Sequence, residues 1–497
     1  MKPTVLFILH LPPPVHGAAM VGKYIHDSKL INDTFDCHYI NLTTAKNLQD
    51  IGKGGVRKLW KFCRLLARIL YSVRTIKPQL VYVTPNACGG AFYKDFVVVQ
   101  LLKAMGCKVV VHYHNKGVKT RQDRWLDDKL YRRFFRGLKV ILLAESLYDD
   151  VKKYVRREDV FICPNGIPDT LNHEPVAERH NAVPHILFLS NLLVSKGVIV
   201  LLDALKILKD KGYSFVCDFV GGETAEIDAR RFAQEVDARG LNQLAVYQGK
   251  KYGDEKEKFF EKSDVFVFPT FYHNETFGLV NLEAMQHKLP VISTDEGGIQ
   301  DVVKEGENGL IAFKENPQSL AACIETLLGD KELREKMGED GYRKFKDYFT
   351  LSAFEQHFVQ SVNKSLIGGV KCNLTFFHGR KIGDEKETFW CNADIFVFPT
   401  FYPNECFPLV LLEAMQHGLP CISTNEGGIS GIIEDGRTGL LVERLNPKML
   451  AKKIEALLED KTLCDHMGKA GREKFQKEFR QEVFEERVKN VLKTCLC

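Results

Sequence analysis

The sequence predicts an α/β protein with two doubly wound parallel sheets, followed by a partial third one. Short runs of β-branched and aromatic residues alternate with helical stretches, and this alternation occurs twice within residues 1–366. A polar, proline-containing segment separates the two series. Residues 367–497 repeat the later part of the second series at a constant offset.

The first domain is expected to span residues 1–166. Helical stretches separate its strand-like runs, an order typical of a parallel sheet with helices on both faces. The predicted strands are "TVLFILHL" (4–11), "LVYVTP" (80–85), "KVVVHYH" (108–114), "VILLAES" (140–146) and "DVFICPNG" (159–166).

A linker at 167–184 is expected to lead into a second domain at 185–366, which two helical stretches close. Its strands are predicted at "HILFLSN" (185–191), "SFVCDFVGG" (214–222), "LAVYQGK" (244–250), "DVFVFPT" (264–270), "LPVIST" (289–294) and "GLIAF" (309–313).

The third segment, residues 367–497, is predicted to be an incomplete duplicate. Residues 246–310 (copy one) and 376–440 (copy two) are identical at 39 of 65 positions without a gap. Copy two has no counterpart of the strand and helix that begin the second domain. It is therefore expected to expose a sheet edge and to dock on another surface.

The composition is that of a soluble globular protein, with 45% hydrophobic and 27% charged residues. No apolar run reaches the length of a membrane span, and the N-terminal apolar run is interpreted as a buried strand rather than a signal peptide. The 14 cysteines form no CxxC pair and no zinc-type spacing. We therefore expect reduced thiols in a cytoplasmic protein.

Positive charge is concentrated near the N-terminus, where residues 1–180 contain 29 Lys and Arg against 16 Asp and Glu. No acidic residue occurs between Asp50 and Asp95, and residues 54–78 have a basic amphipathic helical pattern. Such a helix can lie on an anionic membrane, here the inner face of the plasma membrane. The alternative is a helix packed on its own sheet with a solvated basic face. A nucleic-acid partner is not expected.

A pair of glutamates, Glu275 and Glu283, indicates a ligand site. Glu275 lies in a loop after a predicted strand, and Glu283 lies two turns into the next helix. Ligands bind at the carboxyl ends of parallel strands, and a helix N-terminus suits a diphosphate. Glu275 can then accept hydrogen bonds from sugar hydroxyls and Glu283 from a ribose, although the spacing alone favours a solvated or capping role for Glu283. Copy two contains the same pair as Glu405 and Glu413.

Two further motifs fit a phosphate ligand. Lys196 in "SKG" follows the first strand of the second domain and can neutralise phosphate charge. The glycine pair in "TDEGG" (294–298) allows close backbone approach to a ligand. Taken singly, each of these motifs is better explained by a surface lysine or a turn.

These motifs together resemble a known family. "NETFGLVNLEAMQHKLPVISTDEGGIQDVVKEGENGLI", preceded by "SKGVIVLLDAL", "FVGG" and "DVFVFPT", resembles the family 4 retaining glycosyltransferases of the GT-B fold. The resemblance implies two Rossmann-like domains facing across a cleft. It implies a nucleotide sugar, UDP- or GDP-linked, on the C-terminal domain and a glycan or lipid-linked acceptor on the N-terminal one. It implies no metal and no other cofactor.

The resemblance also assigns residues. Lys196 would hold the diphosphate, Glu275 the donor sugar and Glu283 the ribose. Backbone groups near the phosphates would come from Thr276, Phe277, Gly278 and Leu279. Gly17 in "PVHGAAM" would approach the phosphates, and the histidine of "HYHNKG" would be His114, with His112 as the alternative. We expect His114, Lys196 and Glu275 to be catalytic.

The chain departs from the family at Asn191, where the family usually has an arginine. Asparagine supplies no cation to a leaving diphosphate, so Lys196 or another cation must do so. Copy two has Pro408 in place of Gly278, which removes a backbone N–H from the expected phosphate site. We therefore expect copy one to complete the donor domain, with replacement by copy two as the alternative.

The resulting functional hypothesis is a retaining glycosyltransferase in bacterial cell-surface polysaccharide synthesis. Two other functions share the fold. One is an inactive sugar-nucleotide-binding protein with a regulatory or scaffolding role, which the duplication permits. The other is a GT-B sugar-nucleotide epimerase, which the context of the glutamate pair disfavours.

Overall fold

The first sheet consists of six parallel strands in the order β2-β1-β3-β4-β5-β6. This computed structural model describes residues 2–13, 17–43, 56–171, 179, 181–366, 383–402 and 405–495. The strands are β1 (Thr4–Leu9), β2 (Asp36–Asn41), β3 (Leu80–Val83), β4 (Val109–His112), β5 (Lys139–Leu142) and β6 (Val160–Ile162). β1, β3 and β4 are buried on both faces, as their continuous β-branched and aromatic sequences require.

Within the described residues, six α-helices accompany this sheet. They are α1 (Gly17–Asp27), α2 (Lys29–Thr34), α3 (Val56–Ile76), α4 (Gly89–Ala104), α5 (Trp125–Phe135) and α6 (Tyr148–Val151). In α3, Leu65, Ile69 and Val73 recur at helical spacing and are buried in the core of the sheet. Arg64, Arg68 and Arg74 of the same helix are exposed.

The second sheet also has six parallel strands, in the order β12-β11-β10-β7-β8-β9. Because β7 and β10 are parallel neighbours at its centre, the carboxyl ends of both strands lie at the same edge of the sheet. The strands are β7 (His185–Leu189), β8 (Val216–Val220), β9 (Ala245–Gly249), β10 (Val265–Phe268), β11 (Val291–Ser293) and β12 (Gly309–Ile311).

Eight α-helices of the described part of the chain follow or connect these strands. They are α7 (Val198–Asp210), α8 (Ala229–Ala238), α9 (Asp254–Lys262), α10 (Leu279–Gln286), α11 (Ile299–Val302), α12 (Pro317–Gly329), α13 (Lys331–Lys344) and α14 (Leu351–Leu366). At the N-termini of several of these helices, a capping side chain accepts a hydrogen bond from a backbone amide of the first turn. The Asn316 side chain accepts from the Ser319 amide at 2.8 Å, and Pro317 occupies the first turn, where its missing N–H costs nothing.

The last helix of this series, α14, packs on the first sheet rather than on the second. Phe354, Phe358 and Val362 of α14 are fully buried in one hydrophobic cluster with residues of β1, β3 and β4. Just before α14, Ile167 and Thr350 form a parallel bridge. The two domains are therefore connected twice, once near Ile167 and once near Thr350.

Residues 1–373 and 374–497 form two separate compact units, called unit 1 and unit 2. Unit 2 has a three-stranded parallel sheet, β13-β14-β15, with β13 (Phe396–Phe398), β14 (Cys421–Thr424) and β15 (Gly439–Val442). Its helices are α15 (Asp384–Asn392), α16 (Leu409–Gln416), α17 (Ile429–Ile432), α18 (Pro447–Glu459), α19 (Lys461–Glu478) and α20 (Gln481–Cys495).

The register of this small sheet matches that of the second sheet. Phe396 pairs with Cys421 in unit 2, and Phe266 pairs with Val291 in unit 1, at an offset of 130 positions. β10 has partners on both sides, β11 and β7, whereas within the described part of unit 2 β13 pairs with β14 alone. Among the described helices of both units, none is long and apolar enough to cross a membrane.

We expect Phe358→Ala to destabilise unit 1 because α14 stabilises the first sheet mainly through buried aromatic contacts. The Phe358 ring is fully buried and lies 5.2 Å from the Tyr82 ring in an edge-on arrangement. Its loss should lower the free energy of unfolding by about 3–5 kcal/mol in denaturant titrations. The control is Phe313→Ala, since Phe313 is 75% exposed. Equal effects of the two substitutions would contradict the assigned role of α14.

Candidate active site

Lys196 and Glu275, 79 positions apart in sequence, form an ion pair at the edge of the second sheet. Both side chains are about 15% exposed. The Lys196 ammonium also lies 4.7 Å from the centre of the Tyr272 ring, within cation–π range. The structure therefore brings together the two residues that the sequence predicted to hold a diphosphate and a sugar.

Gly197 makes this approach possible. It has a φ of +87°, and a Cβ atom there would lie 2.3 Å from the carbonyl oxygen of Pro269. The backbone amide of Phe271 donates to the Ser195 carbonyl at 2.8 Å. The turn after β7 and the loop after β10 are thus in direct backbone contact.

The loop from β10 to α10 is organised around the Glu275 carboxylate. Its second oxygen accepts from the Gly278 amide at 3.2 Å, and Gly278 has a φ of +65° immediately before α10. Phe277 is buried against Phe349 at a ring distance of 5.9 Å. Leu279 is the first residue of α10. The predicted phosphate-contacting backbone therefore lies at the N-terminus of this helix.

Across the cleft, the first domain meets this loop at the end of β4. The Thr276 hydroxyl donates to the His114 carbonyl at 3.0 Å, and His114 is half-buried. The His112 and His114 rings lie 4.2 Å apart. Of the two candidate histidines, His114 lies at the domain boundary and His112 lies in the core, where it bonds the Tyr82 hydroxyl at 2.7 Å.

Burial lowers the pKa of His112 well below its usual range, and the neighbouring His114 ring adds to this effect. Burial removes the water that would stabilise a charged imidazole, so the neutral form is favoured. His112 is therefore a neutral structural group at physiological pH. Its hydrogen bond to Tyr82 fixes the strand end that presents His114.

Sequence reasoning missed a second charge cluster across the same cleft. Lys116, two residues after His114, forms an ion pair with Glu296, which is 6% exposed. Lys314 contacts the other oxygen of Glu296 at 3.1 Å. Burial alone would lower the pKa of Lys314, but its hydrogen bonds to Glu296 and Asp295 and their charges outweigh this and raise it. One carboxylate thus joins cations of both domains.

The glycine pair beside Glu296 serves the protein's own packing. A Cβ at Gly297 would lie 2.3 Å from the Glu275 carbonyl oxygen, and one at Gly298 would lie 2.6 Å from the Ala144 side chain. The two glycines therefore allow close packing on the Glu275 loop and on the first domain, while their approach to a ligand stays a prediction. Next to Ala144, Ser146 donates its backbone amide to Asp301 at 3.1 Å, a further contact between the domains.

Glu283 has a cation partner that was not predicted. One oxygen of its carboxylate lies 3.0 Å from the Lys256 ammonium of α9, and both side chains are about one quarter exposed. The other oxygen is buried and has no hydrogen-bond partner among the described residues. Glu283 therefore keeps capacity to accept a hydrogen bond.

Asn191 and Gly17 occupy simpler positions. The exposed Asn191 side chain accepts from the Gly222 amide at 3.2 Å, so it fixes the "VGG" turn. Gly17 begins α1, and a Cβ there would meet nothing within 4 Å in the described structure. Residues 14–16 of the predicted glycine loop lie outside the described residues.

In copy two the corresponding carboxylates have different surroundings. Glu405 accepts from the Thr400 hydroxyl at 3.4 Å, whereas Glu413 keeps a lysine partner, Lys386, at 2.5 Å. Pro408 precedes α16 with a φ of −73°, and Phe407 is 44% exposed where Phe277 is 2% exposed. The described part of unit 2 contains no strand corresponding to β7 and no lysine corresponding to Lys196.

Comparison with known proteins identifies the family. The family model described as "Glycosyl transferases group 1" matches residues 169–344 and 363–474, which together exceed half of the chain. This chain belongs to that glycosyltransferase family. The predicted resemblance to glycosyltransferases and the predicted enzyme class are thereby confirmed at the level of the family.

Relatives by sequence agree with this assignment. The chain is 33% identical over 277 residues to the uncharacterized glycosyltransferase MJ1178 of Methanocaldococcus jannaschii, covering 54% of this chain and 70% of that protein. It is 31% identical over 163 residues to the capsular polysaccharide biosynthesis glycosyltransferase CapM of Staphylococcus aureus, covering 33% and 41%. The chain thus spans only about two fifths of the length of CapM.

Solved structures show the same fold. Sucrose-phosphate synthase of Thermosynechococcus elongatus superposes with a TM-score of 0.57 at 18% identity, covering 73% of this chain and 99% of that one. HepE of Anabaena, crystallised with UDP, superposes with a TM-score of 0.55 at 14% identity, covering 73% and 100%. The predicted GT-B architecture, with two Rossmann-like domains, is confirmed.

The lowered pKa of His112 predicts a pH dependence of folding. The unfolded chain takes up a proton on this histidine near pH 6.5, whereas the folded chain does not. The free energy of unfolding should therefore fall as the pH falls below about 6.5, by at most about 1.4 kcal/mol per pH unit for one group. His112→Gln should show a smaller slope between about pH 8 and about pH 5 in denaturant titrations. An unchanged slope would show that His112 titrates normally.

Proposed function

We propose that the chain is a retaining glycosyltransferase that transfers a sugar from a nucleotide diphosphate donor to a glycan or lipid-linked acceptor. The observation that carries the proposal is the meeting of Lys196, Glu275 and the N-terminus of α10 at the carboxyl edge of the second sheet. His114 of the first domain lies opposite, joined to Thr276. A cation and free backbone amides suit a diphosphate, and a carboxylate suits sugar hydroxyls.

The donor is proposed to be UDP- or GDP-linked. In support, HepE of Anabaena was crystallised with UDP and with UDP-glucose, and it shares the fold. The Glu283 carboxylate, with one oxygen on Lys256 and the other free of partners among the described residues, can accept from the ribose hydroxyls. The ribose would then lie beside α10 and the diphosphate at its N-terminus.

In the proposed reaction the bond between the sugar carbon and the diphosphate oxygen breaks with the electron pair on oxygen. The Lys196 ammonium and the N-terminus of α10 stabilise the resulting negative charge. The acceptor hydroxyl oxygen forms the new bond on the same face of the sugar and passes its proton to the departing diphosphate oxygen. Lys196 must leave Glu275 for the diphosphate, which frees the Glu275 carboxylate for the sugar.

The acceptor side is proposed to belong to cell-surface polysaccharide synthesis. In support, CapM of Staphylococcus aureus is named for capsular polysaccharide biosynthesis, and a relative in Escherichia coli is named O-antigen chain mannosyltransferase C. The first domain, with its surplus of positive charge, would receive the acceptor.

Copy one is proposed to complete the donor domain, with copy two as an appended module. In support, β10 of copy one pairs with β7, so Glu275 reaches Lys196. Copy one also keeps Gly278 before α10, whereas copy two has Pro408, which lacks the amide that Glu275 bonds in copy one.

Matched substitutions in the two copies test this assignment. Glu275→Ala should reduce donor turnover by about a hundredfold, because a group that positions the sugar is lost. Glu405→Ala, at the corresponding position, should leave turnover within about twofold of the wild type. The measurement is the release of free UDP or GDP from a panel of UDP- and GDP-sugars, followed by mass spectrometry. Loss of turnover in Glu405→Ala alone would reverse the assignment.

We further propose that α3 places the enzyme on an anionic membrane surface. The apolar side chains Leu65, Ile69 and Val73 are used for packing on the sheet, so membrane contact must come from the opposite face. That face presents exposed arginines, Arg64 and Arg68, and two aromatic residues. The aromatic residues are Trp60, 63% exposed, and Tyr71, 70% exposed. Arginine with exposed aromatic rings is typical of a membrane interface.

Flotation with vesicles tests this second proposal. The wild type should float with phosphatidylserine-containing vesicles at low salt, and Arg64→Glu with Arg68→Glu should abolish flotation, since each basic residue contributes about 1 kcal/mol near such a surface. The control pair, Arg230→Glu with Lys331→Glu, reverses two exposed charges on other helices. Wild-type protein that stays at the bottom at low salt would contradict the proposal, as would equal behaviour of the two variants.

A further inference from the structure

Three side chains of unit 2 place metal-type ligand atoms together. The carboxylate of Glu387, the thiol of Cys391 and a ring nitrogen of His417 all lie within 4.8 Å of one another. Glu387 and Cys391 are four residues apart on α15, so they share one helix face. His417 ends α16, the next helix. The cluster therefore bridges two helices that are separated by a strand in the chain.

The neighbours of His417 fix its ring in the orientation that a ligand requires. The ring stacks on Trp390 at 5.9 Å with an interplanar angle of 12°. Its Nε2 faces Glu387 Oε2 at 3.2 Å, and the side chain is 21% exposed. The nitrogen that would bind an ion thus already points toward the cluster, and solvent reaches it.

Copy one contains the same framework in a closed form. There His287 bonds Glu257 at 2.6 Å, stacks on Phe260 at 5.1 Å and is 1% exposed. Cys391 corresponds to Glu261 of copy one, so the thiol is new in copy two. Copy two therefore has a longer His–Glu contact, an accessible imidazole and a soft ligand beside it.

We propose that unit 2 binds one divalent transition-metal ion of the zinc class through Glu387, Cys391 and His417. A thiolate, an imidazole and a carboxylate are ligands that Zn²⁺ prefers, whereas Ca²⁺ and Mg²⁺ take oxygen ligands. Binding deprotonates the Cys391 thiol and releases that proton to solvent. Three protein ligands leave a fourth position for water.

One basic residue, Lys386, lies next to Glu387 in the chain. Lys386 is the neighbouring basic residue on α15, and its ammonium is engaged by Glu413 at 2.5 Å. It also lies 5.8 Å from the centre of the Trp390 ring. A bound ion would connect α15 to the end of α16 and stabilise unit 2.

The test uses Co²⁺ alone as a spectroscopic probe on the full chain under reducing conditions. Wild-type protein should bind one Co²⁺ and show thiolate-to-cobalt charge-transfer absorption with the visible bands of a tetrahedral ion. Zn²⁺ should displace it. Cys391→Ser should lose the charge-transfer band and weaken binding more than about tenfold, since even the loss of an outer-shell partner does as much.

Two further variants make the result decisive. Cys406→Ser removes another exposed thiol of unit 2 and should bind Co²⁺ as the wild type does. Cys391→Glu restores the residue of copy one and should abolish the charge-transfer band without unfolding, because position 391 is exposed. A charge-transfer band that survives in Cys391→Ser would overturn the proposal, as would no Co²⁺ binding by the wild type.

Discussion

The parallel pairing of β10 with β7 is the interaction on which the candidate site depends. It aligns Val265 with Ile186 at the centre of the second sheet, so the chain leaves both strands at the same edge. The turn after β7 carries Lys196, and the loop after β10 carries Glu275. Residues 79 positions apart in sequence thus meet within one ion pair. Gly197, which has a left-handed conformation and lies against Pro269, allows the two segments to come this close.

Polar contacts join the two domains across the cleft, beside a hydrophobic cluster to which both domains contribute. Lys116 pairs with Glu296, Ser146 bonds Asp301, and the Thr276 hydroxyl bonds the His114 carbonyl. Partly buried charges interact more strongly than charges in water, but each must stay paired. These contacts hold the loop from β10 to α10 and the end of β4 in one arrangement. The second chain crossing, where α14 returns to the first sheet, reinforces it.

Much of this architecture could be predicted from the sequence. Eleven of the twelve strands in the two larger sheets follow runs of β-branched and aromatic residues, and the motifs located Lys196 and Glu275. The missed strand, β2 (Asp36–Asn41), lies at the sheet edge and has polar residues such as Asp36 and His38, so its pattern is weak. Likewise, α14 was predicted to belong to the second domain, because the local sequence of an amphipathic helix does not indicate which sheet the helix covers.

Contacts between distant segments could not be predicted. Lys256 and Lys116 are ordinary surface lysines in the sequence, and only the fold places them on Glu283 and Glu296. Gly297 lies against the Glu275 carbonyl and Gly298 against the Ala144 side chain, and nothing in the local sequence indicated these neighbours. Glu387, Cys391 and His417 match no zinc spacing because two helices contribute them.

The central claim is that one nucleotide site exists, that it lies between the domains of unit 1, and that copy one closes it. Hydrogen–deuterium exchange of the full chain with UDP, and separately with GDP, tests this most directly. The account predicts slower exchange in peptides covering residues 193–198 and 274–284 with one of the nucleotides, and unchanged exchange in residues 405–414. Protection confined to residues 405–414, or none anywhere with either nucleotide, would contradict it.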